Sequence, residues 1–217
     1  WTVPKGYNLV GIDASGLELR MLAHYMDDKD YTDEIINGDI HTANQKLAGL
    51  ESRSQAKTFI YALLYGAGDE KLGSVAGGGK RLGSRLRQSF FDNLPAFKSL
   101  KSKVGRAASR GYLKGLDGRK LFVRSEHAAL NTLLQGAGAI VMKKALVTLN
   151  NRMRDQGLDA HFVANVHDEW QIEAEEMCSD TVGNLGVGAI IEAGKHFNLN
   201  CPLDGEYHVG RNWSQTH

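Results

Sequence analysis

The order of apolar and polar positions predicts a strand near the start of the chain and a helix directly after it. Residues Tyr7–Ala14 form a short, largely apolar run that ends in a polar turn, as a buried strand does. The next stretch, LELRMLAHYM, has apolar residues at helical spacing. Asp13 is therefore expected where a strand gives way to a helix.

The middle of the chain has a helical pattern. Residues 27–51 are polar and contain one short predicted helix, GDIHTANQKLAG. The stretch SRSQAKTFIYALLYGAG predicts a stronger helix, with serines at its start and glycines at its end. A glycine-rich bend and two basic helices follow, and Pro95 suits the first turn of the second.

The last part of the chain returns to strands. YLKGLDGRKLFVR predicts a β-hairpin, and a long helix follows it. HFVANVHDEWQIEAE predicts a second hairpin. An amphipathic helix over about Asp180–Phe197 and a strand near Tyr207–Val209 complete the pattern. This order favours an α+β fold in which a helical part interrupts a sheet-containing domain.

Charge is distributed unevenly along the chain, although the net charge is only +1. Thirteen of the 26 Lys and Arg residues lie between Lys80 and Arg124, with only two of the 25 acidic residues. Such a basic block is typical of a protein that binds a phosphate backbone. A solvated, lysine-rich helix face would have the same composition, so charge alone leaves both interpretations open.

Composition argues against several other classes. The two cysteines, Cys178 and Cys201, are too few for a disulfide framework or a zinc site, so we expect free thiols and a reducing cytoplasm. No apolar run approaches the roughly 20 residues that span a bilayer. The N-terminus has no signal-peptide pattern. We therefore expect a soluble protein with no membrane partner.

Two aspartates are candidates for metal chemistry. Asp13 ends the first predicted strand, and Asp168 lies at the tip of the second hairpin, in NVHDEWQIE. If these strands are neighbours, the carboxylates converge, and hard divalent cations would relieve their repulsion. Polymerases and nucleases use pairs of such ions. Alternatively, each aspartate caps its own turn.

One helix has cationic and aromatic residues at a constant spacing. Arg53, Lys57, Tyr61 and Tyr65 recur every four residues, so they form one slowly winding stripe. Cations near the positive helix N-terminus, followed by aromatic rings, suit a triphosphate followed by a base. Both tyrosines could instead belong to the core.

Three motifs resemble motifs A, B and C of family A DNA polymerases, in order and spacing. They are DASGLELR from Asp13, RSQAKTFIYALLYG from Arg53 and VHDE from Val166. The blocks KTFIYALLYGAGDEK, GLDGRK, HAALNTLLQ and the closing NW with a terminal His are more similar to the replicative polymerases of T-odd phages than to bacterial DNA polymerase I. The resemblance covers about Tyr7–His217.

The resemblance implies a fold and a reaction. The fold is an antiparallel-sheet palm with an inserted helical fingers subdomain. Residues 1–26 and 126–217 would form the palm, and residues 27–125 the fingers, with the basic block and a hairpin. The reaction is DNA-directed DNA synthesis, in which a dNMP is transferred to a primer 3′-OH by a two-metal mechanism.

The resemblance also implies a catalytic set. Asp13 and Asp168, with the backbone carbonyl of Ala14, would hold two Mg²⁺ ions, for which Mn²⁺ could substitute. Lys57 would donate a proton to the departing pyrophosphate. Glu169 would have a secondary catalytic role close to the primer end and the metals.

Substrate contacts follow from the same resemblance. Arg53, Lys57 and His41 would hold the triphosphate of the incoming dNTP. Tyr61 would stack near its sugar and base, and Tyr65 would lie at the template base. Glu18, in the first motif, would occupy the space that a ribonucleotide 2′-hydroxyl needs.

Contacts with DNA are implied for a further set of residues. Three residues spaced by four, His127, Asn131 and Gln135, would reach the minor groove near the primer end. Hydrogen-bond acceptors there are common to all correct base pairs. His167 would contact the terminal primer phosphate. The basic block, including Arg119 and Arg124, would line the template and fingers side.

The chain departs from the family pattern in what it lacks. No counterpart of the exonuclease-like domain or the thumb precedes the first motif, and the chain begins at Trp1. We therefore expect the C-terminal part of a split or cleaved polymerase, whose partners are primer-template DNA, dNTPs and an N-terminal polypeptide with the missing domains. A phage-encoded protein would act in the cytoplasm of the infected bacterial host. The alternatives are a non-catalytic nucleic-acid-binding module and a two-metal nuclease.

Overall fold

The computed structural model describes residues 2–217 and divides into two compact units. Unit 1 comprises the N-terminal residues up to Arg20 together with Ala137–His217, and unit 2 comprises Met21–Gly136. Unit 1 contains an antiparallel four-stranded sheet, and unit 2 is mainly helical. The predicted α+β fold, with a helical part inserted into a sheet-containing one, is confirmed.

The elements are numbered in chain order. The strands are β1 (Tyr7–Ala14), β2 (Tyr112–Lys114), β3 (Lys120–Phe122), β4 (Ala160–Val166), β5 (Glu169–Glu175) and β6 (Gly205–Gly210). The helices are α1 (Leu17–Met26), α2 (Lys29–Ile36), α3 (Ile40–Ala48), α4 (Arg53–Leu64), α5 (Asp69–Val75), α6 (Lys80–Asn93), α7 (Pro95–Ala108), α8 (Ala129–Asp155) and α9 (Ser179–His196).

The sheet of unit 1 has the strand order β4-β5-β1-β6, so the first strand lies between two strands from the end of the chain. One face of the sheet packs on α9 through apolar side chains of β1 and β5, including Ile12 and Trp170, which are buried. Helix α9 approaches closely because Gly186 has no side chain: a Cβ there would lie 2.4 Å from Cδ1 of Ile12. The opposite face therefore carries the polar residues of these strands.

The hairpin of β4 and β5 turns at His167 and Asp168. Val166 and Glu169 form the last pair of the ladder, so the turn has two residues. His167 has φ +54°, a left-handed conformation that is uncommon for residues other than glycine. The backbone N–H of Ala14 donates to the carbonyl oxygen of Asp168 at 3.1 Å. This bond joins the hairpin tip to the end of β1.

Unit 2 is organised around α4, which begins with a capping box. The Ser52 side chain accepts from the backbone N–H of Gln55, and the Gln55 side chain accepts from the N–H of Ser52. Phe59 on α4, Phe90 on α6 and Phe97 on α7 are fully buried, and their rings form two edge-to-face contacts. The core of this unit is therefore aromatic. Phe59 anchors α4, the helix that carries Arg53 and Lys57, in this core.

Helices α5 and α6 form a tightly packed pair because glycines line their contact. A Cβ on Gly83 would lie 1.8 Å from the carbonyl oxygen of Asp69, and one on Gly73 would lie 2.1 Å from that of Gly79. The two backbones therefore pack directly against each other. Sequence pattern missed α5, and it also missed α2, which has eight mostly polar residues.

One helix passes a test of length and composition for a membrane span, although the chain has no unbroken apolar run of that length. The helical segment Glu126–Asp155 is long and apolar enough to cross a membrane by length and composition. Half of its most apolar window is buried within the protein. Its high mean hydropathy comes from Leu, Val, Ile and Ala residues, many of which are buried. Polar residues recur between them, so the apolar run is broken.

Candidate active site

In unit 1 the two predicted aspartates converge at one end of the sheet. Asp13 on β1 is the register partner of Glu169 on β5 and of Glu206 on β6, so these side chains share one face. Asp168 occupies the adjoining hairpin tip, and Ala14 contacts it through the backbone. The structure therefore brings together Asp13 and Asp168, which the sequence pattern selected, and Ala14 and Glu169, which the family resemblance implied, and it adds Glu206.

Asp13 has the most perturbed carboxyl of this acidic cluster. Burial raises the pKa of Asp13 to about 6, and the charges of Asp168, Glu169 and Glu206 add to that rise, while His217 opposes it. An aspartate that is difficult to ionise beside other acids gains from a nearby cation. The electrostatics therefore suit binding of positive charge at Asp13.

The fit to Mg²⁺ can be judged from the donors that are present. Among residues 2–217, no three His, Cys, Asp or Glu side chains are grouped so that they could hold a metal ion by themselves. Mg²⁺ normally binds one or two carboxylates and completes its shell with water and substrate phosphate. Asp13 and Asp168 match that pattern, which differs from a dedicated all-protein cage.

Glu169 is buried, and both of its carboxylate oxygens have partners. Its side chain is 8% exposed, one oxygen accepts from the amide of Gln171, and the other lies 2.6 Å from Nδ1 of His217. The hydroxyl of Thr216 donates to the amide oxygen of Gln171 at 2.8 Å. The C-terminal residues thus contact the acidic cluster.

In unit 2, Arg53 begins α4 and is held by an acid that sequence pattern did not select. Its Nε donates to Oδ2 of Asp39 at 2.6 Å, and both side chains are exposed. Asp39 also caps α3, because Oδ1 accepts from the backbone N–H of His41 at 3.1 Å. The Arg53 guanidinium holds the pKa of Asp39 well below its usual range.

His41, which the family resemblance implied, lies near Arg53, Lys57 and Tyr61 of the predicted stripe. The rings of His41 and Tyr61 are 6.3 Å apart. Burial lowers the pKa of His41, and the charges of Arg53 and Lys57 lower it further. Nδ1 of His41 is buried with no hydrogen-bond partner within the described residues. Arg53, Lys57 and His41 form a cationic cluster, in which the neutral imidazole of His41 can donate a hydrogen bond to an anion.

Tyr65 lies just past the end of α4, and its side chain is 52% exposed. The amide of Gln135 on α8 donates to its hydroxyl at 3.4 Å. The neighbouring Gly66 has φ +80°, and a Cβ there would lie 2.5 Å from the carbonyl oxygen of His127. The structure therefore brings Tyr65 together with two of the predicted minor-groove residues. Asn131 lies between them in sequence and is half-buried.

The remaining predicted residues have simpler surroundings. Glu18 lies in the first turn of α1 and is half-buried. Arg119 is paired with Asp117 in the turn of the β2–β3 hairpin, at 2.6 Å, so its guanidinium has a local partner. Arg124 follows β3 and is exposed, and His167 is exposed at its hairpin tip.

Comparison with known proteins places this geometry in a family. The profile of DNA polymerase family A matches residues 1–215. The chain belongs to DNA polymerase family A. The predicted resemblance is confirmed.

Similar proteins include phage replication enzymes. The DNA-directed DNA polymerases of Enterobacteria phage T3 and Escherichia phage T7 are each 44% identical to this chain, and each match covers 98% of this chain and 34% of the phage protein. The polymerase domain of Pol1 from M. smegmatis, solved with DNA primer-template and dNTP, has a TM-score of 0.88 at 24% identity and covers 100% of this chain and 42% of that one. The chain thus spans about a third of the length of its phage relatives.

Sequence reasoning missed several polar residues around the family motifs. Gln171 and Thr216 are buried next to Glu169, and Asp39 pairs with Arg53. A glutamine in the apolar strand run WQI was a signal that a buried partner had to exist. Asp39 had a signal too, because an aspartate directly before IHTA is typical of an N-cap. Thr216 carried no signal in sequence.

Proposed function

We propose that this chain carries out template-directed DNA synthesis, transferring a dNMP from a dNTP to a primer 3′-OH. The observation that carries the proposal is the convergence of Asp13, Asp168 and Glu169 at one end of the sheet, in a member of DNA polymerase family A. The names of the phage relatives support the same reaction. We assign residues 1–26 and 126–217 to the palm, and residues 27–125 to the fingers.

Asp13 and Asp168, with the carbonyl of Ala14, would hold two Mg²⁺ ions, and Mn²⁺ would substitute. The bound ions would lower the pKa of the primer 3′-hydroxyl and neutralise the charge of the triphosphate. The raised pKa of Asp13 supports this assignment, because a cation relieves the crowding of negative charge. Glu169 would support the ligands from its buried position.

The cationic cluster of unit 2 would bind the triphosphate. Arg53, Lys57 and His41 offer donors of the kind that phosphate oxygens accept. The Arg53 guanidinium would leave its ion pair with Asp39 and bind a phosphate oxygen. Lys57 would donate a proton to the leaving pyrophosphate. Tyr61 would stack near the sugar and base of the nucleotide.

The remaining assignments concern selection and DNA. Glu18 would exclude a 2′-hydroxyl, so dNTPs would be preferred to ribonucleotides. Tyr65 would check the template base. Contacts with the duplex are assigned to His127, Asn131, Gln135, His167, Arg119 and Arg124.

We further propose that an N-terminal polypeptide supplies the part of the phage relatives that this chain does not match, including the expected thumb and exonuclease-like domain. The support is that the chain matches about a third of each relative. The complex would act in the cytoplasm of an infected bacterium. Primer extension by the chain alone tests this, and we expect short, distributive products. Robust, processive synthesis without any partner would contradict the split arrangement.

The activity itself is tested by Asp168→Asn, assayed for dNTP incorporation and primer degradation together. We expect incorporation to fall by at least about 10³-fold, because a metal-binding carboxylate is removed. Binding of primer-template in EDTA should stay within about twofold, since phosphate contacts dominate affinity. Glu175→Gln is the matched control, because this exposed acid lies at the far end of β5, the strand that follows the hairpin tip.

The same assay separates the alternatives. A two-metal nuclease would degrade the primer in the wild type, and Asp168→Asn would abolish that degradation without any incorporation to lose. A non-catalytic binding module would bind DNA and do neither. Unchanged incorporation in Asp168→Asn would refute the site assignment.

A further inference from the structure

The C-terminal residues lie directly on the sheet of unit 1, at a position where β1 has no side chain. A Cβ on Gly11 would lie 2.3 Å from the carbonyl oxygen of Thr216 and 2.6 Å from the amide nitrogen of Gln171. Thr216 and Gln171 are 3% and 1% exposed. Gly11 therefore leaves the space in which two polar side chains are buried together.

These side chains form one chain of hydrogen bonds that ends on Glu169. The hydroxyl of Thr216 donates to the amide oxygen of Gln171 at 2.8 Å, and the amide nitrogen of Gln171 donates to Glu169. The direction is fixed by chemistry, since a carboxylate only accepts and the amide must turn its N–H₂ towards it. The carboxylate thereby sets the amide orientation, and the Thr216 hydroxyl, which also lies 3.3 Å from the carbonyl oxygen of Trp213, holds the amide oxygen on the other side.

The orientation of Glu169 matters because it is the register partner of Asp13. A buried carboxylate costs free energy unless its oxygens have donors, and removing one donor leaves the other groups free to rearrange. Gln171 fixes one oxygen of Glu169, and His217 fixes the other. Both oxygens of the Glu169 carboxylate therefore have a hydrogen-bond partner next to Asp13.

We propose that Gln171 is a positioning residue for Glu169, and that the Thr216 hydroxyl holds Gln171 in the orientation that this requires. The catalytic part of this inference rests on the proposed DNA synthesis, whereas the hydrogen-bond network itself does not. Both residues would act through Glu169.

Two substitutions at Thr216 separate positioning from packing. Thr216→Val keeps the shape and removes the hydroxyl, and Thr216→Ser keeps the hydroxyl and removes a methyl group. Positioning predicts that Val lowers kcat for incorporation by about tenfold, with KM for dNTP unchanged, while Ser stays within about twofold. A role in packing alone predicts the reverse order, and that result would overturn the proposal. The assay uses the chain with whatever partner primer extension requires.

A double-mutant cycle tests whether the effect passes through Glu169. In the Glu169→Gln background, Thr216→Val should cause no further decrease in kcat, because the carboxylate that it positions is already gone. Independent, multiplicative decreases would mean that Thr216 acts elsewhere, and the proposal would fail.

The network can also be observed without any activity. NMR of the Gln171 side-chain amide should show protons protected from exchange in the wild type and in Thr216→Ser, and unprotected protons in Thr216→Val. Identical spectra in all three proteins would overturn the proposal. If the wild type shows protection but incorporates no dNTP, the proposed function fails while the network stands, so the two failures are distinguishable.

Discussion

At the scale of single residues, the surroundings of Asp13 lower the free energy of unfolding when its carboxyl is ionised and no cation is bound. Asp13 lies between Glu169 and Glu206 in the sheet, with Asp168 at the adjoining tip. Burial and these charges raise its pKa to about 6, so its ionised form is disfavoured in the folded state. A site that binds cations carries such a cost until the cation is present.

This cost predicts how stability depends on pH. Because the pKa of Asp13 is raised on folding, its contribution to stability is greatest below about pH 4 and is lost as pH rises through about 6. Solvent screening reduces the effect of this half-buried group. We expect Asp13→Asn to stabilise the protein in EDTA at pH 7 by roughly 1 kcal/mol, or about 2–4 °C in Tm.

Thermal denaturation between pH 4 and pH 8 measures this effect. The gain from Asp13→Asn should disappear near pH 4, where the native carboxyl is protonated. Addition of Mg²⁺ at pH 7 should stabilise the wild type more than the variant. A variant that is less stable than the wild type at pH 7 in EDTA would contradict the electrostatic interpretation.

At the scale of elements, the β4–β5 hairpin has a backbone conformation that its sequence does not favour. His167 has φ +54° in a two-residue turn, where glycine or asparagine is usual. Such conformations cost of order 1 kcal/mol or more and often persist at functional positions. This conformation makes the His167 side chain a candidate for function, in line with its proposed contact with the primer phosphate.

Glycine and alanine at position 167 separate strain from function. His167→Gly relieves the backbone and should raise the free energy of unfolding by about 1 kcal/mol, whereas His167→Ala should not. Both variants lack the imidazole, so both should incorporate dNTPs more slowly. Urea denaturation and primer extension on the same preparations make the comparison. Equal stability of the two variants would show that the turn is not strained.

Helix α3 offers a second comparison at this scale. Asp39 caps the helix and also pairs with Arg53. Asp39→Asn keeps a capping side chain and removes the charge, while Asp39→Ala removes both. We expect Ala to lower Tm more than Asn. Because Arg53 lowers the pKa of Asp39, the charge contribution is present above the unfolded pKa of about 4 and is lost only as pH falls below it. Thermal melts of both variants from pH 3 to pH 7 check this order.

The elements also show what sequence pattern can and cannot reveal. β1 and the hairpins were predictable, because apolar runs and turn residues are local signals. Helices α2 and α5 were missed because they are short and polar or glycine-rich, and their stability comes from capping and close backbone packing. Likewise Asp13 and Asp168 stood out as strand-end acids, whereas the hydrogen bond of Thr216 with Gln171 joins positions 45 residues apart.

At the scale of the whole molecule, the basic block divides into cations with local partners and cations that face solvent. Arg87 pairs with Asp69, and Arg119 pairs with Asp117. A second set, Lys80, Arg81 and Arg85, is exposed near the start of α6. Arg81 and Arg85 line an open cleft there. The exposed set can exchange water and counterions for phosphate oxygens at less cost than the paired set.

This division predicts which cations carry the salt dependence of DNA binding. Replacing Lys80, Arg81 and Arg85 together by Ala should reduce the slope of log K against log salt by about 0.9 for each phosphate that is no longer bound, for duplex primer-template. Three exposed lysines of unit 1 provide a control with the same change in net charge; they are Lys5, Lys143 and Lys195. Fluorescence anisotropy between 50 and about 300 mM salt measures both slopes. If the control changes the slope as much as the α6 variant does, binding reports net charge alone, and the basic block is a solvated helix face.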